Sequence, residues 1–535
     1  MTIPKQKFEE LLIQSLIQEK ANTAQDLAKT KRKIAKKFGL NLFPSNVDLL
    51  KIYHRLVKNK SIKESKATEQ LLITRPIRSL SGIVNVSVLT KPWGCPGQCI
   101  FCPTAKGFPK SYLAGEPAAD RAKFLNYNPY LQVAKRLEAL TAQGHLTDKI
   151  ELRIVGGTWS SYPKQYQSWF IKRCFQAANE FENENKDKNQ TLEKAQTENE
   201  TAKHRIVGLS VETRPDFITL PEIKRLRYLG ATLVELGVQT VFDEIHKKSR
   251  TKTTALKIAQ ATKLLKNAGF KILYQVMPNL PGATPAKDLR LFKILFSDSR
   301  FKPDWLKIYP CLICPDTKLL KLWQKGKYKP YSEKTLLNLL IEIKKNLPYW
   351  VRITRIFRDI PSQSIVAGCK VSNIRELVQE EMKKQGLKCP CIRCRETKSR
   401  YDAKEKAYLF REDYDASEGK EIFLSWENKN RSKLYSLLRL RIPSKSVLPI
   451  LRNAALIREI QTFGSQLPLE AGRGPSSTSS PQHKGMGKKL VKQAEKIAKQ
   501  EFGFAKMAVI SGIGARKYYR KLGYRLQGTY MVKTL

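Results

Sequence analysis

A multidomain α/β chain is predicted by three observations. Short β-rich runs alternate with helical runs from about residue 81 to 365. Near 404 the rhythm changes to antiparallel-type strands followed by a helix that opens on glycine. Residues 1–80 read as helical and basic. Regular strand–helix alternation implies a parallel sheet, open or closed as a partial barrel, with active groups at the carboxyl ends of its strands. At 535 residues, two or three domains are expected.

In chain order, Leu11, Leu12, Ile13, Leu16 and Ile17 form an apolar helical face. The run KTKRKIAKKFGL (29–40) is densely basic and suits phosphate contact, although a solvated helix would carry the same charges. Ser45 reads as an N-cap. Strands are expected at 83–90, 149–159, 205–216, 231–240, 270–282 and 304–312, with helices at 130–140, 221–230 and 254–269. The strand ends carry GGT, ETRP, GVQ and MPNLPG, where glycine lets a ligand approach the backbone. The polar, low-complexity stretch 182–203 reads as a surface insertion without function. KAYLFREDYD, EIFLSWEN and SLLRLRIP read as three antiparallel strands. A Gly/Ser/Pro-rich loop (465–481) then leads into QHKGMGKKLVKQAEKIAKQ.

The totals bound the function. Lys+Arg 98 against Asp+Glu 48 gives a net charge of +50, and nucleic acid is the first candidate for so large a polyanion partner. No run of 18 apolar residues predicts a membrane span, and residues 1–20 lack a signal-peptide core. Ten cysteines, six of them in two tight clusters, indicate metal binding in a reducing compartment.

Three stretches carry chemistry. Cys95, Cys99 and Cys102 share one short loop in a C-x3-C-x2-C spacing. Three thiolates can hold three irons of a 4Fe–4S cluster and leave the fourth open. That spacing is the one used by radical S-adenosylmethionine (SAM) enzymes, and Phe101 stands at their frequent aromatic position; half of a zinc site is the competing reading. Cys389, Cys391 and Cys394 can supply three zinc ligands at one point, with a redox role or a second iron–sulfur site as the alternative. A fourth ligand would come from Cys311 or Cys314, of which Cys311 is favoured; Cys174 and Cys369 read as buried small side chains. The segment 482–487 fits Q-x-x-G-x-G at a helix start, where successive N–H groups bind phosphates, as a pyrophosphate-bearing acyl carrier requires. Tyr518 and Tyr519 offer hydroxyls that could serve packing or chemistry equally.

Read together, RPIRSLSGIVNVSVLTKPWGCPGQCIFCP, GEPAADRA, VETRPDFI, GATLVELGVQTVFDEI, MPNLPG, LKIYP, RDIP, SNIRELV, CIRCRE, QHKGMGKKL, AVISGIGARKYYRKLGY and the terminal YMVK resemble the catalytic subunit of Elongator and its stand-alone archaeal and bacterial relatives. The resemblance runs from about residue 75 to the C-terminus. It implies a radical SAM partial (β/α) barrel over 81–365, a zinc-binding linker over 366–403 and a GNAT-type acetyltransferase domain over 404–535; the basic helical residues 1–80 ahead of them read as a tRNA-binding region from their charge. The implied ligands are a 4Fe–4S cluster on Cys95, Cys99 and Cys102, SAM at Gly156, Gly157, Glu212, Arg214 and Gln239, acetyl-CoA at Gln482, Lys484, Gly485, Met486 and Gly487, and zinc on the second cluster. Tyr518 and Tyr519 match the family's paired tyrosines near the thioester. The implied reaction cleaves SAM reductively, takes hydrogen from the acetyl methyl and joins that carbon to C5 of the wobble uridine of tRNA, leaving a carboxymethyl group. A separate, unidentified electron donor is expected; cysteine usage points to the cytoplasm, no membrane contact is expected, and a chain of this size with its own basic N-terminus is expected to act without accessory Elongator-like subunits. Trp93-Gly94 stands where relatives commonly have a histidine-containing segment, and Asn279 stands where glycine is frequent. A protein lysine acetyltransferase with a structural iron–sulfur domain is the alternative, and a non-catalytic tRNA-binding module is a third reading.

Overall fold

The computed structural model describes residues 5–39, 43–183, 190–469 and 480–535. Helices Lys5–Gln18, Ala24–Lys37, Asn46–Lys58 and Lys66–Leu72 pack around Leu12, Leu16, Leu49, Leu50 and Tyr53. Polar side chains start them: Thr23 and Asp26 make a reciprocal capping box, and Ser45 accepts from the Asp48 N–H at 3.1 Å, as its N-cap reading expects.

Seven strands follow in one sheet: β1 Val84–Leu89, β2 Lys149–Val155, β3 Arg205–Thr213, β4 Leu233–Gln239, β5 Lys271–Val276, β6 Trp305–Ile308 and β7 Arg352–Ile356. They pair in sequence order and all in parallel, with β1 and β7 as edges, so the barrel is partial. Period-two side-chain alternation sets the two faces. In β2, Ile150, Leu152 and Ile154 are buried in the main core, whereas Glu151 and Arg153 line cavities inside the barrel. A polar lumen of this kind differs from the apolar plug of a closed barrel and leaves room for ligands.

The second sheet holds β8 Tyr408–Ala416, β9 Gly419–Glu427, β10 Leu434–Ile442, β11 Ala454–Thr462, β12 Lys506–Val509, β13 Arg525–Gln527 and β14 Tyr530–Thr534, in the order β13-β14-β12-β11-β10-β9-β8. Only β11 and β12 pair in parallel, bridged by the helix Met486–Gln500. Leu490, Val491, Ala494, Ile497 and Ala498 bury that helix against this sheet, the face that its periodicity predicts.

The two sheets share one contiguous apolar core, in which Val86, Leu152 and Ile272 of the barrel join Leu437, Leu456, Ala508 and Tyr530. Charge is buried along the same seam. Arg458 of β11 meets Asp304, which precedes β6, and Glu421 of β9; Arg441 of β10 meets Glu421 and Asn267.

The polar stretch 182–203 departs from its expected role as a functionless surface insertion. Its described part contains the helix Leu192–Asn199, with Leu192 and Ala195 in the main core and Asn199 donating to Asn179 at 2.7 Å. Two apolar positions on one helical face suffice to anchor so short an element, and the surrounding polar composition hides them. Of the 465–481 loop, residues 470–479 lie outside the described residues.

Candidate functional site

A cavity of about 260 Å³ opens at the carboxyl ends of the barrel strands. Cys95, Cys99 and Cys102 line one wall of it, on the loop that follows β1. The loop is pinned from two neighbouring segments: the Ile100 N–H donates to the Ser249 carbonyl at 3.1 Å, and the Ile100 carbonyl accepts from the Leu319 N–H at 2.9 Å. Thr158 Oγ1 lies 3.6 Å from Cys95 Sγ. Burial raises the Cys99 thiol against the pull of Arg214, and burial together with Cys99 pushes Cys102 up to about 12. These thiols are therefore protonated at neutral pH unless a cation displaces their protons.

The predicted SAM residues divide. Gly157, Glu212, Arg214 and Gln239 line the cavity. Gly156 stands behind it with φ +131°, and a Cβ there would fall 2.0 Å from Thr90 Oγ1, so its glycine is set by strand packing. Glu212 accepts from Gln275 Nε2 at 2.9 Å and from the Tyr112 hydroxyl at 3.3 Å, and burial raises its carboxyl. Arg214 is held by Asp216 at 2.9 Å. Sequence reasoning missed Tyr112, Gln275, Lys307 and Arg358, which also line this space. Lys307 is paired with Glu235 across the lumen, and Arg358 reaches Glu116 at 3.0 Å. Polar residues inside otherwise apolar parallel strands were the available signal for Gln275 and Lys307.

The second cysteine cluster is tight. The Cys389, Cys391 and Cys394 sulfurs lie within 4.8 Å of one another, the one such metal-capable group among the described residues. A single zinc with Zn–S bonds of about 2.3 Å calls for this closeness, whereas a four-iron cluster spreads its ligands over separate irons. Lys344 Nζ lies 3.7 Å from Cys394 Sγ. Hydrogen bonds from Cys389 and Cys391, with Lys344 beside them, hold the Cys394 thiol down. The structure does not bring Cys311 to this group. The chain leaving β6 carries Cys311 into an apolar cluster with Ile100, Leu319 and Tyr328, where its N–H donates to the Pro278 carbonyl at 2.9 Å. Cys314 lines the large cavity. Cys174 and Cys369 are buried.

On the second sheet, Gly485 caps the helix Met486–Gln500 with φ 75°, leaving the first-turn N–H groups, those of Met486 and Gly487 among them, without intrahelical acceptors. A Cβ on Gly487 would meet Tyr518 Oη at 3.1 Å and Ile460 at 3.3 Å, so this glycine keeps the cradle open beside a tyrosine hydroxyl. Lys484 stacks over the Tyr401 ring at 5.3 Å. Gln482 is turned inward: its amide accepts from Lys149 at 2.7 Å and donates to the Thr462 carbonyl at 3.2 Å, which spends the side chain on bracing β2 against β11. The tyrosine pair also divides, with Tyr518 partly exposed and Tyr519 buried against Tyr524. Glu200, from the stretch read as an insertion, binds Arg516 at 3.0 Å and also Arg520, the residues that bracket this pair.

Family models match these same regions: the Radical SAM superfamily over residues 93–293, the Radical_SAM C-terminal domain over 303–384 and the Acetyltransferase (GNAT) family over 479–524. The chain is 44% identical over 505 residues to a tRNA uridine(34) acetyltransferase of Methanocaldococcus infernus, covering 92% of each. It is 45% identical over 466 residues to one of Dehalococcoides mccartyi, covering 86% of this chain and 99% of that one. Elongator complex protein 3 of Homo sapiens is 35% identical over 527 residues, covering 95% and 93%. A solved structure of the archaeal Methanocaldococcus infernus Elp3 with an N-terminal deletion superposes with a TM-score of 0.75 at 42% identity, over 85% of this chain and all of that one.

Proposed function

The chain belongs to the family of the tRNA uridine(34) acetyltransferases and Elongator complex protein 3, and from that premise we propose that it installs a carboxymethyl group at C5 of the wobble uridine of tRNA, using SAM and acetyl-CoA. The observation that carries this reading is the joining of two sites in one folded core, a three-cysteine wall at the carboxyl ends of a radical SAM barrel and a glycine-opened phosphate cradle on a GNAT sheet.

The residues present fit the implied groups. Cys95, Cys99 and Cys102 would hold a 4Fe–4S cluster, because three thiols on a pinned loop face a cavity with Arg214 beside them to offset thiolate charge. Gly157, Glu212 and Gln239 would hold SAM in the same cavity. Bound there, the cluster and SAM supply hydrogen-abstracting radical chemistry. Met486 and Gly487 would bind the acetyl-CoA pyrophosphate through their N–H groups, and Tyr518, standing over Gly487, would orient the thioester. Gln482 and Tyr519 support these residues from within the core. Cys389, Cys391 and Cys394 would hold a structural zinc.

In this reading the electron donor is a separate molecule. The basic helices over 5–72 provide RNA contact within the chain, so accessory subunits are not required. In this reading the enzyme works in the reducing cytoplasm, where cysteine clusters bind metal rather than pair as disulfides; no helix among the described residues is long and apolar enough to cross a membrane. The test is anaerobic incubation of tRNA with the enzyme, SAM, a reductant and acetyl-CoA, followed by mass spectrometry of the nucleosides. C5-carboxymethyluridine is expected, and its absence while cluster absorbance is intact overturns the reading.

A further inference from the structure

A second cavity, of about 230 Å³, opens at the amino ends of the barrel strands, beneath the first. Arg153 lines both, so the two cavities are the ends of one polar lumen. Arg78, Arg136, Arg153, Arg352 and Arg393 surround the lower cavity, and Glu151 is the one carboxylate on its wall.

These arginines are unequally matched. Arg153 faces Glu235 at 3.3 Å and Glu151 at 3.6 Å. Arg352 and Arg393 share Glu396, at 3.0 Å and 3.4 Å. Arg78 spends one N–H on the neutral amide of Gln143. Arg136, projecting from the helix Pro129–Ala142, has no acceptor among the described residues. Burial, together with the like charges of Arg78 and Arg121, pushes it down to about 10.

Arg78 and Arg136 are therefore the two arginines on this wall that no carboxylate offsets. Uncompensated guanidinium groups around one hole are the complement of an oxyanion, and the arginine fork matches phosphate geometry.

We propose that the lower cavity is a phosphate-binding site, in which Arg78 and Arg136 hold one phosphate-class oxyanion. The group comes either from a phosphodiester of the RNA substrate or from free phosphate in solution. The first source rests on the tRNA reading above; the site itself does not. It is distinct from the cradle at Gly485–Gly487, since its contribution from β11 is Gln461, which points at the Ser81 carbonyl on the barrel side.

Arg136→Gln is the informative variant, because removing Arg136 orphans no carboxylate. Melting of the full chain is followed in inorganic phosphate and in chloride at matched ionic strength. Wild type gains a saturable rise in Tm from phosphate beyond that from chloride. Arg136→Gln loses the gain, Arg136→Lys keeps part of it, and Arg136→Gln melts above wild type without phosphate because like-charge repulsion is relieved. A wild-type response no larger in phosphate than in chloride, or one undiminished in Arg136→Gln, overturns the site. With tRNA, loss of the phosphate response and a fall of about 0.7–0.9 in the log–log salt slope for Arg136→Gln identify a phosphodiester as the source. An unchanged slope identifies free oxyanion, and the site stands. The phosphate arm contains no RNA, so its failure is separable from failure of the carboxymethylation assay.

Discussion

Arg458 donates to Asp304 through both terminal nitrogens, with Nη1 2.9 Å from Oδ2, and neither side chain is exposed to water. The pair spans the seam between the sheets. Arg458, Lys266 and Arg439 together hold the Asp304 carboxyl well below the usual carboxylate range. Asp304→Asn should therefore cost about 3–5 kcal/mol in urea unfolding, because it leaves buried cations unbalanced. The sign follows from linkage. A carboxyl depressed in the folded state contributes stability above its unfolded pKa of about 3.9, and that contribution is lost as pH falls below it. Wild type should lose stability steeply below about pH 4 and Asp304→Asn less so.

Lys266 gives the same pH slope for the opposite reason, because here burial disfavours the charged form. It sits 3.6 Å from both Asp304 and Glu421 without a hydrogen-bond partner, and burial pushes its pKa down to about 8. Below that pH the lysine is charged in both folded and unfolded chains. Between about 8 and the unfolded value of about 10.4 only the unfolded chain holds the proton, so unfolding free energy should rise with pH. Lys266→Met should remove this rise and be no less stable than wild type at pH 7, because Arg458, Arg439 and Arg441 still neutralise the two carboxylates. The check is unfolding of both proteins from pH 7 to 10.

The tyrosine pair should separate by role. Tyr518 presents its hydroxyl at the Gly487 cradle, and Tyr519 is packed beneath it. Tyr518→Phe should lower tRNA-stimulated acetyl-CoA hydrolysis. Tyr519→Phe should leave that rate within about twofold and change stability by about 1 kcal/mol or less, because it keeps the ring that packs against Tyr518 and Tyr524. Glu200→Ala should raise the KM for acetyl-CoA through the loosened Arg516 and Arg520, and Glu200→Gln should recover part of it.

The two cysteine clusters should lose metal independently. Cys99→Ala should abolish iron–sulfur absorbance and tRNA modification while leaving about one zinc per chain. Cys391→Ser should release zinc and lower Tm, since structural zinc contributes folding energy directly. Elemental analysis and absorbance of both variants read this out. Protein acetylation surviving in Cys99→Ala would favour the lysine acetyltransferase alternative.

The barrel was legible because its alternation is local: each strand, turn and helix announces itself within some fifteen residues. The cysteine loops and QHKGMG were legible because close spacing in sequence forces closeness in space. Gln482 shows the limit. Its position in a phosphate-binding pattern predicts a ligand contact, yet its partner Lys149 is 333 residues away, and only the packing of β2 against β11 turns the amide inward. Cys311 shows a second limit, because proximity to a distant sulfur triad depends on how the chain leaves β6 and not on residue type. The lumen arginines could not be found without the curl of the sheet, which brings Glu151 and Arg153 of β2 to the cavity that Arg352 of β7 also lines.

The pairing of Asp304 with Arg458 also has a timetable. The two residues are separated by 154 positions. At a translation rate of about 5–20 residues per second, the barrel side of the seam waits on the order of 8–30 seconds for its counter-charge. During that interval a nascent barrel offers a carboxylate to water beside apolar strands that have no cover. A ribosome stalled anywhere between those codons would hold a half-built seam, which makes this junction a point in synthesis where cover by a chaperone would matter.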